Sequence, residues 1–250
     1  MSLTLGFTVA EVVKKGLTTV EDIEALKEKR KNKRPKLTDE QIAIFLIACS
    51  NCQDFTEETI ESNIALKNSG SNIFRNRNLK NETLRKVSET LNFSVMPEKY
   101  EDSVIFLLSF NDNNYKNYCQ ESHFKLYFMV IDSIVYDDPP RDGIIIIDAK
   151  GYSLMHITTL RLSLLKTYSE YFNSGIPLLI KAIHFINCSH AISCCFNVVR
   201  PFIKSEKLQK IHFHNACNNL SETLSIPPKY LPKEYGGELK GIRYYHNNHG

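Results

Sequence analysis

Leu231-Pro-Lys-Glu-Tyr-Gly-Gly237 closes a run of alternating strand-like and helix-like segments. Its two adjacent glycines mark backbone that needs a positive φ or a close approach to neighbouring chain. The heptapeptide carries no chemistry of its own. Its meaning comes from three stretches upstream, in fixed order: Ile183-His-Phe-Ile-Asn187, Arg200-Pro-Phe-Ile203 and Ile211-His-Phe-His-Asn215. Working outward, residues 211–214 read as a short strand. Residues 191–200 read as a helix that stops before Pro201, and residues 178–186 as a buried strand. Ile157, Leu160, Leu164, Leu165, Tyr168 and Phe172 recur at helical spacing. Gly143-Ile-Ile-Ile-Ile147 reads as a strand buried on both faces and ending at Asp148. Before it come a helix over 123–135, apolar almost all round, and a strand over 104–110 closed by the turn Asn111-Asp-Asn-Asn114. Strands alternating with helices require crossover connections and hence a mixed, largely parallel sheet flanked by helices, an α/β fold.

The N-terminal third has a different rhythm. Thr38 is placed as an N-cap, with Gln41 completing a capping box. Ile42, Phe45, Leu46 and Cys49 follow at helical spacing. A second helix is expected over 56–67, ending near Gly70, and Leu84, Val87 and Leu91 point to a third. The expected organisation is a small all-helical subdomain over 1–95 and an α/β domain over 96–245. The basic run over 27–36 reads as a solvated helix face and loop. The polar tail over 244–250 is expected to fray.

The 250 residues carry a formal charge of +3, too little to argue for nucleic-acid binding. Twelve Tyr and fourteen Phe with no Trp imply an aromatic core. Seven cysteines, an odd number at irregular spacings, suit reduced thiols better than a disulfide framework. The N-terminus lacks the charged and apolar regions of a signal peptide, and no apolar run approaches the roughly 20 residues of a membrane span. The expectation is a cytoplasmic protein.

Several motifs invite chemistry. Cys49-Ser-Asn-Cys52 has no second ligand pair for a structural zinc, and it ends a helix where a thioredoxin-type motif would open one. His212 and His214 fall on one face of a strand, near Cys217, yet a full ligand set is not visible. The chain contains no G-x-G-x-x-G, Walker loop or G-x-S-x-G elbow. Asp148, at a strand's carboxyl end, has no second acid, base or nucleophile placed to work with it. No catalytic residue, metal or cofactor is therefore expected. Arg200, Lys204, Lys207 and Lys210 form a basic series beside Val198, Val199, Phe202 and Ile203, a pattern suited to an anionic membrane surface.

The ordered set of Asp148 and Gly151, Pro177, Lys181-Ala-Ile-His-Phe-Ile-Asn187, Pro201-Phe202, Ile211-His212 and Leu231-Pro232 with Glu234-Tyr235-Gly236-Gly237 resembles the CRAL-TRIO lipid-transfer family, in particular its alpha-tocopherol transfer protein-like branch. The similarity runs over residues 35–242 and is strongest from Gly143 onward. It implies a helical N-terminal part, a mixed sheet forming the floor of an apolar pocket, and a gating helix matched here by residues 189–200, with Phe202 just beyond. It implies one bound hydrophobic molecule, of the tocopherol, retinoid or phospholipid class, exchanged at a transiently contacted membrane without catalysis.

On that basis Phe124, Tyr127, Phe128 and Ile131 on the apolar helix are candidate ligand contacts, with Ile145 and Ile147 on the isoleucine strand. Tyr168, Phe172, Ile176 and Leu178 follow, then Ile183 and Phe185, and Phe196, Val199 and Phe202 around the gate. Lys181 joins Arg200, Lys204, Lys207 and Lys210 as candidate head-group contacts. The chain also departs from the family. The stretch Phe45-Leu46-Ile47-Ala48-Cys49-Ser50 lacks the usual cation, the helix often found after the Gly-Gly motif is not evident, and Tyr127 and Ile131 stand where tocopherol binders carry small polar residues. These departures keep open a second reading, a lipid-regulated interaction module with a protein partner.

Overall fold

A computed structural model describes residues 5–78, 80–215 and 219–248, the last three through their backbone only. Five helices come first: α1 (Val9–Lys14), α2 (Val20–Lys29), α3 (Asp39–Ala48), α4 (Gln53–Asn68) and α5 (Glu82–Thr90). The α/β part then runs β1 (Leu91–Val95), β2 (Ser103–Phe110), α6 (Gln120–Asp137), β3 (Asp142–Asp148), α7 (Leu154–Ile157), α8 (Leu162–Ser174), β4 (Ile180–Ile186), α9 (His190–Val199), α10 (Ser205–Leu208) and β5 (Ile211–Phe213). Two further helices, α11 (Leu220–Leu224) and α12 (Ile242–Asn248), follow β5.

The strands lie side by side in chain order. β1 pairs antiparallel with β2, and β2 to β5 are all parallel. Each parallel step needs a crossover, supplied by α6, by α7 and α8, and by α9 and α10. The β2–β3 register sets Ile105 against Ile144 and Leu108 against Ile147. Alternation then divides the side chains between two cores. Phe93, Val104, Phe106, Leu108 and Ile183 face the front, where they share one apolar core with Phe124, Phe128 and Tyr171 and with Val12, Leu26 and Leu46 of the helical layer. Ile105, Leu107, Ile144, Ile146 and Ile186 face the back, against Leu220, Ile226, Leu231, Tyr235, Ile242 and Tyr245.

The heptapeptide covers that back face. Leu231 is wholly buried. Gly236 sits at φ 78°, and a Cβ on Gly237 would lie 1.9 Å from the Leu231 carbonyl oxygen, so no larger residue fits without moving backbone. Tyr235 Oη donates to Asp148 Oδ2 at 3.0 Å. Asn187 Nδ2 and the Lys150 amide both donate to Asp148 Oδ1, at 2.8 and 2.9 Å. Asp148 thus ties the end of β3, the turn after β4 and the heptapeptide into one knot.

In the helical layer, Thr38 and Gln41 form both halves of the capping box that opens α3. Asn63 of α4 donates to the Gly175 carbonyl at 2.6 Å, pinning that layer to α8. Asp132 of α6 accepts from Arg77 at 2.6 Å and lies 3.6 Å from Lys67, a buried cluster that couples both parts of the chain.

Four local expectations are corrected. Leu91 opens β1 rather than extending the third helix, because its neighbours pair with β2 over 106–110. The stripe over 157–172 is two helices, α7 and α8, broken where the Arg161 amide donates to Gln120 Oε1 at 2.7 Å. β4 is not uniformly buried: Lys181 is exposed and His184 and Phe185 are half-buried, since its neighbour β5 is only three residues long. A helix does follow the Gly-Gly motif, and the start of the tail is anchored rather than frayed: Ser94 Oγ donates to the Ile242 carbonyl at 2.8 Å, and Ile242 and Tyr245 are buried. The division at residues 95 and 96 falls directly after β1, which belongs to the sheet.

Candidate ligand cavity

Between the front of the sheet and α9 lies a cavity of about 130 Å³. β3 supplies Ile147; β4 supplies Ile183 and Phe185; β5 supplies Ile211 and Phe213. Register explains the last four, since Ile183 pairs with Ile211 and Phe185 with Phe213, so alternate residues of adjacent strands point the same way. α8 contributes Tyr168 and Phe172, one turn apart. α9 closes the space with Ile192, Cys195, Phe196 and Val199, the i, i+3, i+4, i+7 stripe of a helix with one apolar side. Ile203 completes the wall.

Ring contacts hold α9 in place. Phe196 meets Phe213 edge-on at 4.8 Å, and Phe213 stacks on Phe185 at 5.3 Å. Lys207 Nζ lies 5.6 Å from the centroid of Phe172, tethering α10 to α8. Yet within α9 only Ala191 and Ile192 are fully buried. Behind the cavity, Tyr168 stacks on Phe124 at 4.2 Å and on Phe128 at 5.4 Å. Cys195 is the sole thiol in the lining; its Sγ accepts from Tyr152 Oη at 3.3 Å, and burial pushes it above the ordinary thiol range.

Ile147, Tyr168, Phe172, Ile183, Phe185, Phe196 and Val199, all expected at a ligand site, meet at this cavity. Phe124, Phe128, Ile131, Ile176 and Leu178 are placed instead in the main core. Tyr127 and Ile145 pack against that core, and Phe202 lies outside the lining, its carbonyl accepting from Asn173 Nδ2 at 2.8 Å. Sequence reading missed Ile192, Cys195, Ile203, Ile211 and Phe213. Ile192 and Cys195 lie one helical turn before Phe196 and Val199, and Ile211 and Phe213 alternate on a strand, so periodicity alone could have found those four.

The five candidate cations separate. Lys181 is engaged by Glu101 at 3.2 Å, and Lys210 Nζ donates to the Ile180 carbonyl at 2.6 Å. Burial lowers the pKa of Lys207 beside Phe172. Arg200 and Lys204 are exposed. On the back of the sheet His212 and His214 do share a face, and His184 joins them: its Nδ1 lies 3.1 Å from His214 Nε2, and its ring stacks on His212 at 5.0 Å. Cys217 lies outside the described residues. Among those that are described, no group of three or more His, Cys, Asp or Glu is arranged to hold a metal, and no helix is long and apolar enough to cross a membrane.

Comparison with known proteins converges on one family. The CRAL/TRIO domain matches residues 89–237. Alpha-tocopherol transfer protein-like from Mus musculus is 27% identical over 123 residues, 48% of this chain and 36% of that protein. Clavesin-1 from Rattus norvegicus is 32% identical over 97 residues, 38% of this chain and 27% of that protein. The matched stretches therefore span only about a third of these relatives' lengths. The crystal structure of Sfh5 superposes with a TM-score of 0.56 at 12% identity, covering 94% of this chain and 90% of that one, a likeness of fold.

Proposed function

Because the chain belongs to the CRAL/TRIO domain family, we propose that it binds one hydrophobic molecule beneath α9 and carries it between membranes without a catalytic step. The observation that carries this reading is the apolar cavity closed by a helix that turns one apolar stripe toward it and is fully buried only at Ala191 and Ile192. Ligand pockets for small molecules occupy roughly 300–1,000 Å³, so the space of about 130 Å³ corresponds to a closed lid. Loading requires α9 to swing outward, exchanging its contacts with Phe213 for contacts with the ligand. Burial of the ligand's apolar surface, at about 25 cal/mol per Å², supplies the affinity. The ligand class is that of single hydrophobic molecules such as tocopherols, retinoids or phospholipids.

Opening exposes the inner stripe of α9 beside Arg200 and Lys204, so the lid and its flanking cations would meet an anionic bilayer together. On this reading the protein works in the cytoplasm, with transient membrane contact. Native mass spectrometry after incubation with lipid extract, paired with transfer between liposomes, tests the proposal. A protein that retains no lipid and transfers none refutes it. Each cation near an anionic surface contributes about 1 kcal/mol. Arg200→Glu with Lys204→Glu should therefore weaken binding to anionic vesicles at least thirtyfold (about 2 kcal/mol) without altering the fold. Equal binding by the variant would remove the docking role.

A further inference from the structure

Three histidines stand together on the back of the sheet at its β5 edge. His184 of β4 pairs with His212 of β5 in parallel register, and His214 follows two positions on, so all three side chains leave the same face. His184 Nδ1 lies 3.1 Å from His214 Nε2, and the His184 ring stacks on His212 at 5.0 Å. A contact of that length between two imidazole nitrogens needs one ring to donate and the other to accept. Once both rings are charged, both nitrogens carry hydrogen and the contact becomes repulsive.

No acid is placed to relieve that repulsion. β3 faces His184 with Ile146, and alternation puts Ala182 and Ile186 beside His184 on the same face of β4. Asp148, at the end of β3, is occupied by Tyr235, Asn187 and Lys150. Glu222 of α11 accepts from Asn219, and Lys210, just before β5, has its ammonium on the Ile180 carbonyl. In the turn after β4, burial pushes the Cys188 thiol up. Among the described residues, the charges that act on His184 are those of His212 and His214, and the one that acts on His214 is that of His212. Burial first, and then these neighbours, lower His184 to about 4.

The other face of the same strand is cavity wall. β5 is three residues long and lies at the edge, with β4 as its only partner strand. The ends of the pairing are held by the amides of Ile183, His214 and Cys188, which donate to the carbonyls of Lys210, Phe185 and His214 at 2.8, 2.8 and 3.0 Å. Ile211 and Phe213 line the cavity on the front, and Phe213 carries the ring contact with Phe196 of α9. Freeing β5 therefore unseats one wall of the cavity and a contact that holds α9.

We propose that His184, His212 and His214 form an acid-sensitive latch: neutral, they keep β5 on β4, and charged, they release β5, and with it Phe213 and α9, so that the cavity opens. The inference rests on the reading of the cavity as a carrier site and makes unloading depend on acidity. A histidine freed to solvent takes up its proton near pH 6.5, against about 4 for His184 in the closed strand pair. The closed pair is thus fully favoured above about pH 6.5, and for this one group opening of β5 should rise about twentyfold from about pH 7 to about pH 5.

Amide exchange of the ligand-free protein, followed by NMR and corrected for intrinsic rates, reads that opening at Ile183, His214 and Cys188. Wild type should show the twentyfold rise at these amides, with α9 following. His184→Gln keeps a hydrogen-bonding side chain and removes the titrating group, so the rise should shrink to about threefold or less. His212→Gln changes an exposed position and should also reduce it, which keeps the test intact if the first variant is destabilised. His123, also lowered by burial, is unchanged in both variants and cancels from the comparison. Exchange that does not vary with pH in wild type, or the same rise in wild type and both variants, overturns the latch. Retention of lipid from a lipid extract at about pH 7, where the histidines are neutral, tests the carrier reading separately. A protein that retains lipid but shows no pH-dependent exchange loses only the latch; one that retains none loses the carrier reading and the unloading role with it.

Discussion

Tyr235→Phe isolates what the heptapeptide does for the fold. The substitution keeps the ring against Ile105, Leu107 and Ile144 in the back core and deletes one oxygen. That oxygen donates to Asp148 Oδ2 at 3.0 Å, and both residues are at least nine-tenths buried. The other two donors to Asp148, Lys150 and Asn187, use Oδ1, so Oδ2 is left without its partner. A hydrogen bond to a charged group is worth about 1.5–3 kcal/mol, and stranding a buried acceptor puts the cost in the upper part of that range. The expected loss is about 2.5 kcal/mol, or roughly 5–10 °C in melting temperature for a chain of this length. Urea denaturation followed by circular dichroism measures it, with an unchanged m-value as the sign that only stability has moved. A loss below about 0.5 kcal/mol would show that water replaces the phenol at Oδ2 and that the heptapeptide holds the back face by packing alone.

Three further outcomes are expected. Val199→Trp sets an indole into the cavity from the lid, so ligand retention and liposome transfer should be lost while the circular dichroism spectrum is preserved; normal transfer would place the ligand elsewhere. His123 is buried and its pKa is lowered to about 4, first by burial and then by His156. The unfolded chain takes up that proton near pH 6.5 and the folded chain only near 4, so stability is full above about pH 6.5 and falls by up to about 3 kcal/mol as pH drops through that window; denaturation midpoints that stay constant from about pH 7 to about pH 4.5 would contradict this. Amide exchange should be fast in α9, where only Ala191 and Ile192 are fully buried, and slow in β3; equal protection would mean that α9 is not a lid.

Period and punctuation made the frame legible. The four isoleucines of β3, the Thr38–Gln41 cap and the stop of α9 before Pro201 are local signals, and each element formed where its residues place it. The missed strand β1 has a physical reason: Leu91, Phe93 and Val95 give the alternation of a strand, but Leu84 and Val87 immediately before them start a helical stripe, and only pairing with β2 decides where it stops. The candidate site was legible in kind but not in place. Phe124 and Tyr168 are both aromatic residues on helical stripes, and their rings stack at 4.2 Å. Yet Phe124 fills core while Tyr168 borders the cavity, because a packed ring and a lining ring differ only in what lies opposite them.

The two faces of the sheet divide the work of the molecule. On the back, Leu231, Tyr235 and Ile242 are buried and Asp148 hydrogen-bonds the turns around them, so that face is held by packing and hydrogen bonds together. On the front, α9 rests on the sheet through a few ring contacts above a space too small for a whole ligand. A carrier needs both conditions at once. If the back face were loose, opening the lid would cost the register of β3 and β4, on which the positions of Ile147, Ile183 and Phe185 depend. If the lid were as well anchored as the back, loading would require unfolding. On the proposed carrier reading, the heptapeptide would contribute to transfer without touching the ligand: by holding the strands from behind, it would leave α9 as the element that moves.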